Sequence, residues 1–204
     1  MCAAAVGLIA TTLIAWATTS RIFDALDQKV FRYINSWPDN LYRPLWLVQL
    51  VGVLGAPAVI AVAAAATRRF RLAVALILLI PAKLLVEFDI LKVLVQHSRP
   101  GATVPDAILR NVPPTGLSFP SGHAVILFGI ATLVSPYLDR GWRCVVFTIA
   151  ALAATARIYL GAHGPLDVLG GAAVGITLGA LLTLVLGQPH RPASTGTMPS
   201  SPRV

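Results

Sequence analysis

Three short stretches carry residue types that can bind and attack a phosphate group. In KVLVQHSRP, residues 92–100, Lys92 and Arg99 stand seven apart. On a continuing helix that spacing puts both cations on one face, about 10 Å apart along the axis, within reach of a single anion. Pro100 disfavours helical backbone at Arg99, so the helix is expected to end there. In SFPSGHA, residues 118–124, a Pro-Ser-Gly turn runs directly into an apolar segment. The free N–H groups of such a helix start favour an anion, Gly122 lets a ligand approach the backbone, and His123 stands in the first turn. In RIYLGAHGPLD, residues 157–167, Arg157 precedes a Gly turn, and His163 stands four before Asp167. A carboxylate at that spacing can accept from one imidazole nitrogen and leave the other as an oriented base or nucleophile.

Each stretch has a plainer explanation. Lys92, Arg99 and Arg157 could be cations reaching for a membrane interface. Ser121 could be an ordinary helix N-cap, and His163 with Asp167 could merely fix a turn. One phosphate site accounts for all three together. In it Lys92, Arg99 and Arg157 neutralise the group, Ser121 and the Gly122 N–H bind its oxygens, and His163 and His123 supply nucleophile and acid. Phosphoryl transfer chiefly needs positioning and charge stabilisation, which these groups provide. His97, His123, His163 and Asp167 lack a metal-ligand spacing, and the neighbouring cations would repel a metal ion, so no metal and no cofactor is expected.

The elements that must position these residues are membrane helices. The chain has 204 residues, of which only 12% are charged. A soluble domain usually carries about twice that fraction. Mean hydropathy is +0.77, with the apolar residues in long blocks. A bilayer core of about 30 Å needs about 20 apolar residues in a helix. Six blocks meet that requirement: residues 1–20, 45–67, 72–95, 121–138, 144–160 and 165–187. Residues 24–37 are polar, with Phe23, Leu26, Val30 and Ile34 at helical spacing, as in a short helix lying in the interface. The expected fold class is therefore all-α, a polytopic membrane protein of six transmembrane helices. An interfacial helix separates spans one and two. The expected domain is 1–188, followed by a disordered cytoplasmic tail at 189–204. Residues 1–20 read as a retained helix and not a signal peptide, because no basic residue precedes the apolar run.

Net charge is +8. The basic residues are scattered and form no stripe for nucleic acid, so a bilayer and a phosphate ligand are the expected partners. The turns around Arg68, Arg69 and Arg71 and around Arg140 and Arg143 are short and basic, which makes their side cytoplasmic. All three chemistry-bearing stretches then converge on the outward face of the cytoplasmic membrane. Cys2 and Cys144 read as small hydrophobes. Within the third block, Lys83 and Glu87 are spaced to pair, and Asp89 is spaced to steady Lys92.

Lys-x6-Arg-Pro, Pro-Ser-Gly-His and Arg-x5-His-x3-Asp, in this order, resemble the three-part signature of the type 2 phosphatidic acid phosphatase superfamily, and the six-span layout is similar to its membrane branch. The resemblance covers residues 91–169 by motif. One departure is Ala156, where the family usually has Ser before the arginine of the third motif. The resemblance implies a metal-independent phosphatase in which His163 attacks phosphorus to form a phosphohistidine, oriented by Asp167. His123 protonates the leaving oxygen and then helps activate water. Lys92, Arg99, Ser121, Gly122 and Arg157 hold the phosphoryl oxygens. The implied substrate is a lipid phosphate such as phosphatidic acid, phosphatidylglycerol phosphate or a polyprenyl phosphate or diphosphate. Two other readings share these motifs. A non-catalytic lipid-phosphate binding or flipping protein would need only the cations. A vanadate-dependent haloperoxidase is expected to be soluble.

Overall fold

The computed structural model describes residues 2–187; the tail expected at 189–204 lies outside the described residues. The chain forms α1 (Cys2–Ser20), α2 (Asp24–Asn35), α3 (Tyr42–Gln49), α4 (Ala56–Ala66), α5 (Phe70–Leu84), a π-helical stretch (Leu85–Leu91), α6 (Lys92–Val95), α7 (Pro100–Thr103), α8 (Gly122–Val134), α9 (Arg140–Tyr159) and α10 (Pro165–Leu186). No β-strand occurs among the described residues, only an isolated antiparallel bridge between Ser98 and Leu117.

The centre of the bundle is the α8–α10 pair, flanked by α1, α5 and α9. Small residues permit the close approach. A Cβ at Gly171 would stand 2.5 Å from the Ser121 carbonyl oxygen, and one at Gly175 would stand 2.5 Å from that of Val125. Helices in a bilayer gain no hydrophobic drive from meeting one another, so association rests on such close packing. Large apolar side chains face outward all round the bundle: Val6, Ile9 and Leu13 on α1, Val59 and Val62 on α4, Leu152 on α9, Leu181 and Val185 on α10. A girdle of this extent is suited to lipid and not to water.

Among the described residues three helices are long and apolar enough to cross a membrane: Cys2–Ser20, Arg140–Tyr159 and Pro165–Leu186. A fourth arises if Asp39–Gly52 and Ala56–Ala66 count as one span bent by 62°. The second expected block is thus broken and not straight. Its helix gives way to a 3₁₀ turn at Leu50–Gly52, then extended backbone at Val53, before Pro57 sits in the first turn of α4. Gly52 at the break lets α8 approach: a Cβ there would meet Leu127 and His123 at 3.0–3.2 Å. The apolar helix Gly122–Tyr137 falls short of a full span. The third block is helical from Phe70 to Val95, but its charges keep it from qualifying by composition.

Helix α2 forms where expected. Phe23, Leu26 and Val30 of its apolar stripe are exposed, while Phe31 and Asn35 on the opposite face are buried. An apolar outer stripe is what a helix lying on the bilayer surface presents. The inner face fastens the long loop before α8. Asn35 Nδ2 donates to the carbonyls of Ile108 and Tyr159, each at 2.9 Å, and Asn35 Oδ1 accepts from the Ile108 N–H at 2.8 Å. Arg110 adds a bond to the Tyr159 carbonyl at 2.7 Å and lies 4.0 Å over the Tyr159 ring.

Candidate active site

The backbone ties the three motif stretches to one another. The helix carrying Lys92 ends at Val95, four residues earlier than expected, because Gln96 turns left-handed at φ 48°. Arg99 is therefore extended, not helical, and caps α7. Residues 97–99 instead run beside 116–118: the Ser118 N–H donates to the His97 carbonyl at 2.7 Å, and the Arg99 N–H to that of Gly116 at 3.1 Å. Arg99 Nη1 donates to the Ala162 carbonyl at 2.9 Å, which joins the first stretch to the third. The Ser121 N–H donates to the Asp167 carbonyl at 2.9 Å, which joins the second to the third.

His163 stands in the turn between α9 and α10. Gly161 makes that turn possible: its φ is +82°, and a Cβ would lie 2.6 Å from the Ile108 carbonyl oxygen. Asp167, fully buried at the third position of α10, accepts from the Gly164 N–H at 2.7 Å and so caps its own helix. Its carboxylate does not bond directly to His163. His163 Nδ1 lies 3.8 Å from Asp167 Oδ2. Ser118 Oγ stands between them, 3.2 Å from His163 Nδ1 and hydrogen-bonded to Asp167 Oδ2. The other carboxylate oxygen, Oδ1, is 3.0 Å from His97 Nδ1. These contacts all engage Nδ1 of His163 and leave Nε2 free. Burial pushes the His163 pKa below that of an ordinary imidazole, against the pull of Asp167. A neutral ring with a free Nε2 is a nucleophile in form.

Burial also presses on the His97 imidazole, but its bond to Asp167 and the charges of Asp167, Asp27 and Asp24 outweigh it and raise the pKa. Asp27, on α2, accepts from the Leu166 N–H at 2.7 Å. Its pKa rises to about 6, chiefly because it is buried, and the charge of Asp167 adds to the rise.

Arg157 is buried at the end of α9 and donates through Nη1 to Gln49 Oε1. Its Nε and the Oγ of Ser121 are buried without a hydrogen bond among the described residues. Ser121 flanks α8 but does not cap it through its side chain, so the plain N-cap explanation fails. Two buried polar atoms aimed at no protein partner are rare and mark a place where a polar ligand fits. His123, in the first turn of α8, is within electrostatic reach of Arg157, His163, Lys83 and Arg99. Lys92 is buried and pairs with Glu87 at 2.7 Å, not with Asp89, which is exposed. The expected Lys83–Glu87 pair forms at 2.5 Å. Ala156 is fully buried.

His163, His123, Asp167, Lys92, Arg99, Ser121, Gly122 and Arg157 thus gather at one end of the bundle, with Ser118, His97, Glu87 and Gln49 as contacts that motif spacing does not reveal. Among the described residues no cluster of three His, Cys, Asp or Glu could hold a metal ion.

A helical bundle with these cations and histidines gathered at one end fits a phosphate-handling membrane protein, and sequence comparison gives the class. The family model for the PAP2 superfamily matches residues 69–191, and the chain belongs to that superfamily. It is 35% identical over 89 residues to an undecaprenyl-diphosphatase of Sulfolobus acidocaldarius. It is 38% identical over 72 residues to the putative undecaprenyl-diphosphatase YbjG of Escherichia coli. These matches span 43% and 35% of this chain, and only 42% and 35% of the length of those relatives. Among solved structures, Aquifex aeolicus LpxE superposes with a TM-score of 0.62 at 25% identity, over 78% of this chain and 95% of that one. A PAP2 type phosphatidylglycerolphosphate phosphatase from Bacillus subtilis shares the fold, with a TM-score of 0.75 at 21% identity over 91% and 96% of the two chains.

Proposed function

We propose that this protein is a metal-independent lipid phosphate phosphatase that works through a phosphohistidine on His163. The observation that carries the reading is the pair of orphaned buried atoms, Ser121 Oγ and Arg157 Nε, at the same end of the bundle as the buried His163, whose pKa burial lowers. Lys92, Arg99, Arg157, Ser121 and the Gly122 N–H hold the phosphoryl oxygens. His163 Nε2 gives its lone pair to phosphorus as the P–O bond to the leaving group breaks. Protonated His123 delivers its proton to the departing oxygen. Water then attacks the phosphohistidine, His123 takes a proton from it, and the N–P bond breaks to release phosphate. Three cations stabilise the charge that a metal would otherwise balance.

In this reading the chain crosses the cytoplasmic membrane six times, with the bent pair and the two shorter or charged helices completing the count. The pocket faces outward, and the substrate's hydrocarbon stays in the bilayer. The two relatives above 30% identity are undecaprenyl-diphosphatases by name, which favours a polyprenyl diphosphate over the other lipids. The test is a rapid acid-free quench of enzyme mixed with a lipid carrying labelled terminal phosphate. A base-stable, acid-labile label on the wild-type protein, absent from His163→Ala, is expected. Turnover with the same label on no residue would contradict the mechanism.

A further inference from the structure

The third helix changes its winding directly before Lys92. The π-helical stretch Leu85–Leu91 runs for seven residues and then reverts to α at Lys92. In an α-helix, residues five apart point about 140° away from each other. A π-turn, which closes i to i+5, brings them back to one face, and such turns are rare and concentrated at functional sites. Here the switch joins Glu87 to Lys92, five residues on, at 2.7 Å. The same carboxylate holds Lys83 at 2.5 Å through Oε2, in an ion contact off the line of a directed hydrogen bond. Lys92 Nζ lies 4.1 Å from the Phe88 ring centre, so its position is fixed on two sides.

Glu87 is 3% exposed and reaches into the candidate site. A Cβ at Gly122 would lie 2.5 Å from its Oε2 and 2.9 Å from its Oε1. The carboxylate therefore packs on the Cβ side of Gly122, the first residue of α8, directly beside Ser121. Glu87 is the carboxylate that both Lys83 and Lys92 pair with, so one positive charge of this trio remains unmatched beside the candidate site.

We propose that Glu87 is a positioning residue for phosphate capture. It holds Lys92 through the π-register beside Gly122, and yields Lys92 to the incoming phosphate while keeping Lys83. The proposal rests on the reading of the pocket as a phosphate site. It implies that Glu87 weakens phosphate binding and at the same time fixes Lys92 for turnover. Removing its charge then has opposite effects on the two. A unit charge at this range shifts an ionic equilibrium about tenfold or more.

The experiment measures kcat on a short-chain lipid phosphate, and competitive inhibition by inorganic phosphate, for wild type and Glu87→Gln in detergent. Expected are roughly tenfold tighter phosphate inhibition and a roughly tenfold lower kcat in the variant. A merely structural role would weaken both, because loosened packing helps neither. Glu87→Gln leaves two lysines without a carboxylate and could fail to fold. The pair Lys83→Met and Lys83→Met/Glu87→Gln repeats the comparison with one buried charge fewer, and tightening from the first to the second is again expected. Inhibition that is unchanged or weaker on removal of Glu87, in a folded protein that turns over, overturns the proposal alone. A wild type that neither releases phosphate from any lipid nor binds inorganic phosphate overturns the phosphate-site reading, and the role of Glu87 with it.

Discussion

Ser118 Oγ links His163 Nδ1, at 3.2 Å, to Asp167 Oδ2, while the imidazole and the carboxylate themselves stand 3.8 Å apart. The link fixes the order of protons. An ionised Asp167 can only accept, so the hydroxyl proton of Ser118 points to it. The Ser118 oxygen is then left to accept from His163 Nδ1–H. The lone pair of His163 is placed on Nε2, on the side away from Asp167.

Ser118→Ala breaks this chain without adding bulk. A hydrogen bond in a network with a charged member contributes about 1.5–3 kcal/mol, which corresponds to roughly a 10- to 100-fold effect. The loss is expected in kcat, with KM changed less than about twofold, since Ser118 contacts no phosphoryl oxygen in this account. Steady-state kinetics on a detergent-solubilised lipid phosphate check it. A variant with wild-type kcat would remove Ser118 from the relay.

Gln49, the last residue of α3, steadies Arg157 by accepting from its Nη1. Gln49→Met keeps the volume and leaves Nη1 of a buried guanidinium without its acceptor. The expected result is a rise in KM of about tenfold and weaker inhibition by vanadate, which mimics the phosphoryl transition state. Unchanged KM and unchanged vanadate inhibition would show that Arg157 does not depend on Gln49.

Asp27 makes stability depend on pH. Its folded pKa of about 6 lies above the ordinary 3.8, because burial opposes its charge. A group with a raised pKa favours folding fully below its unfolded value, and that contribution is lost as pH rises through the folded one. Wild-type stability should therefore fall between about pH 4 and pH 6 on account of this group. Asp27→Asn keeps an acceptor for the Leu166 N–H and removes the titration. The melting temperature of the variant, relative to wild type, should climb across that window and level off above it. A constant difference from pH 4 to pH 7 would contradict the assignment.

The motif residues were legible because their chemistry is carried by residue type and local spacing. Ser121 and Gly122 before an apolar run mark the start of α8, and His163 four residues before Asp167 shares a turn with it, but Ser118 takes the place of the direct bond that the spacing predicts. The contacts that tune them are long-range. Ser118 reaches Asp167 across 49 positions and His97 reaches it across 70, joined by a two-residue pairing too short to leave an alternating pattern. Gln49 reaches Arg157 across 108 positions, from a helix whose break at Gly52 is hidden inside an uninterrupted apolar block. α-Helical spacing sets Lys92 against Asp89. The π-turn changed the period over residues 85–91 and gave it to Glu87. Helical spacing marks α2, of whose stripe Phe23, Leu26 and Val30 are exposed while Ile34 packs on the core, but its polar inner face, where Asp27 and Asn35 hold the site loops, carries no signal of its own in composition.

The most direct test of the central claim is inorganic phosphate release by the purified protein in detergent with excess chelator. The panel holds phosphatidic acid, phosphatidylglycerol phosphate, a polyprenyl phosphate and a polyprenyl diphosphate, and His163→Ala is run alongside. The account predicts release from at least one of these lipids, undiminished by chelator, and a loss of several orders of magnitude in the variant. Release that requires a metal ion, or that survives intact in His163→Ala, would contradict it.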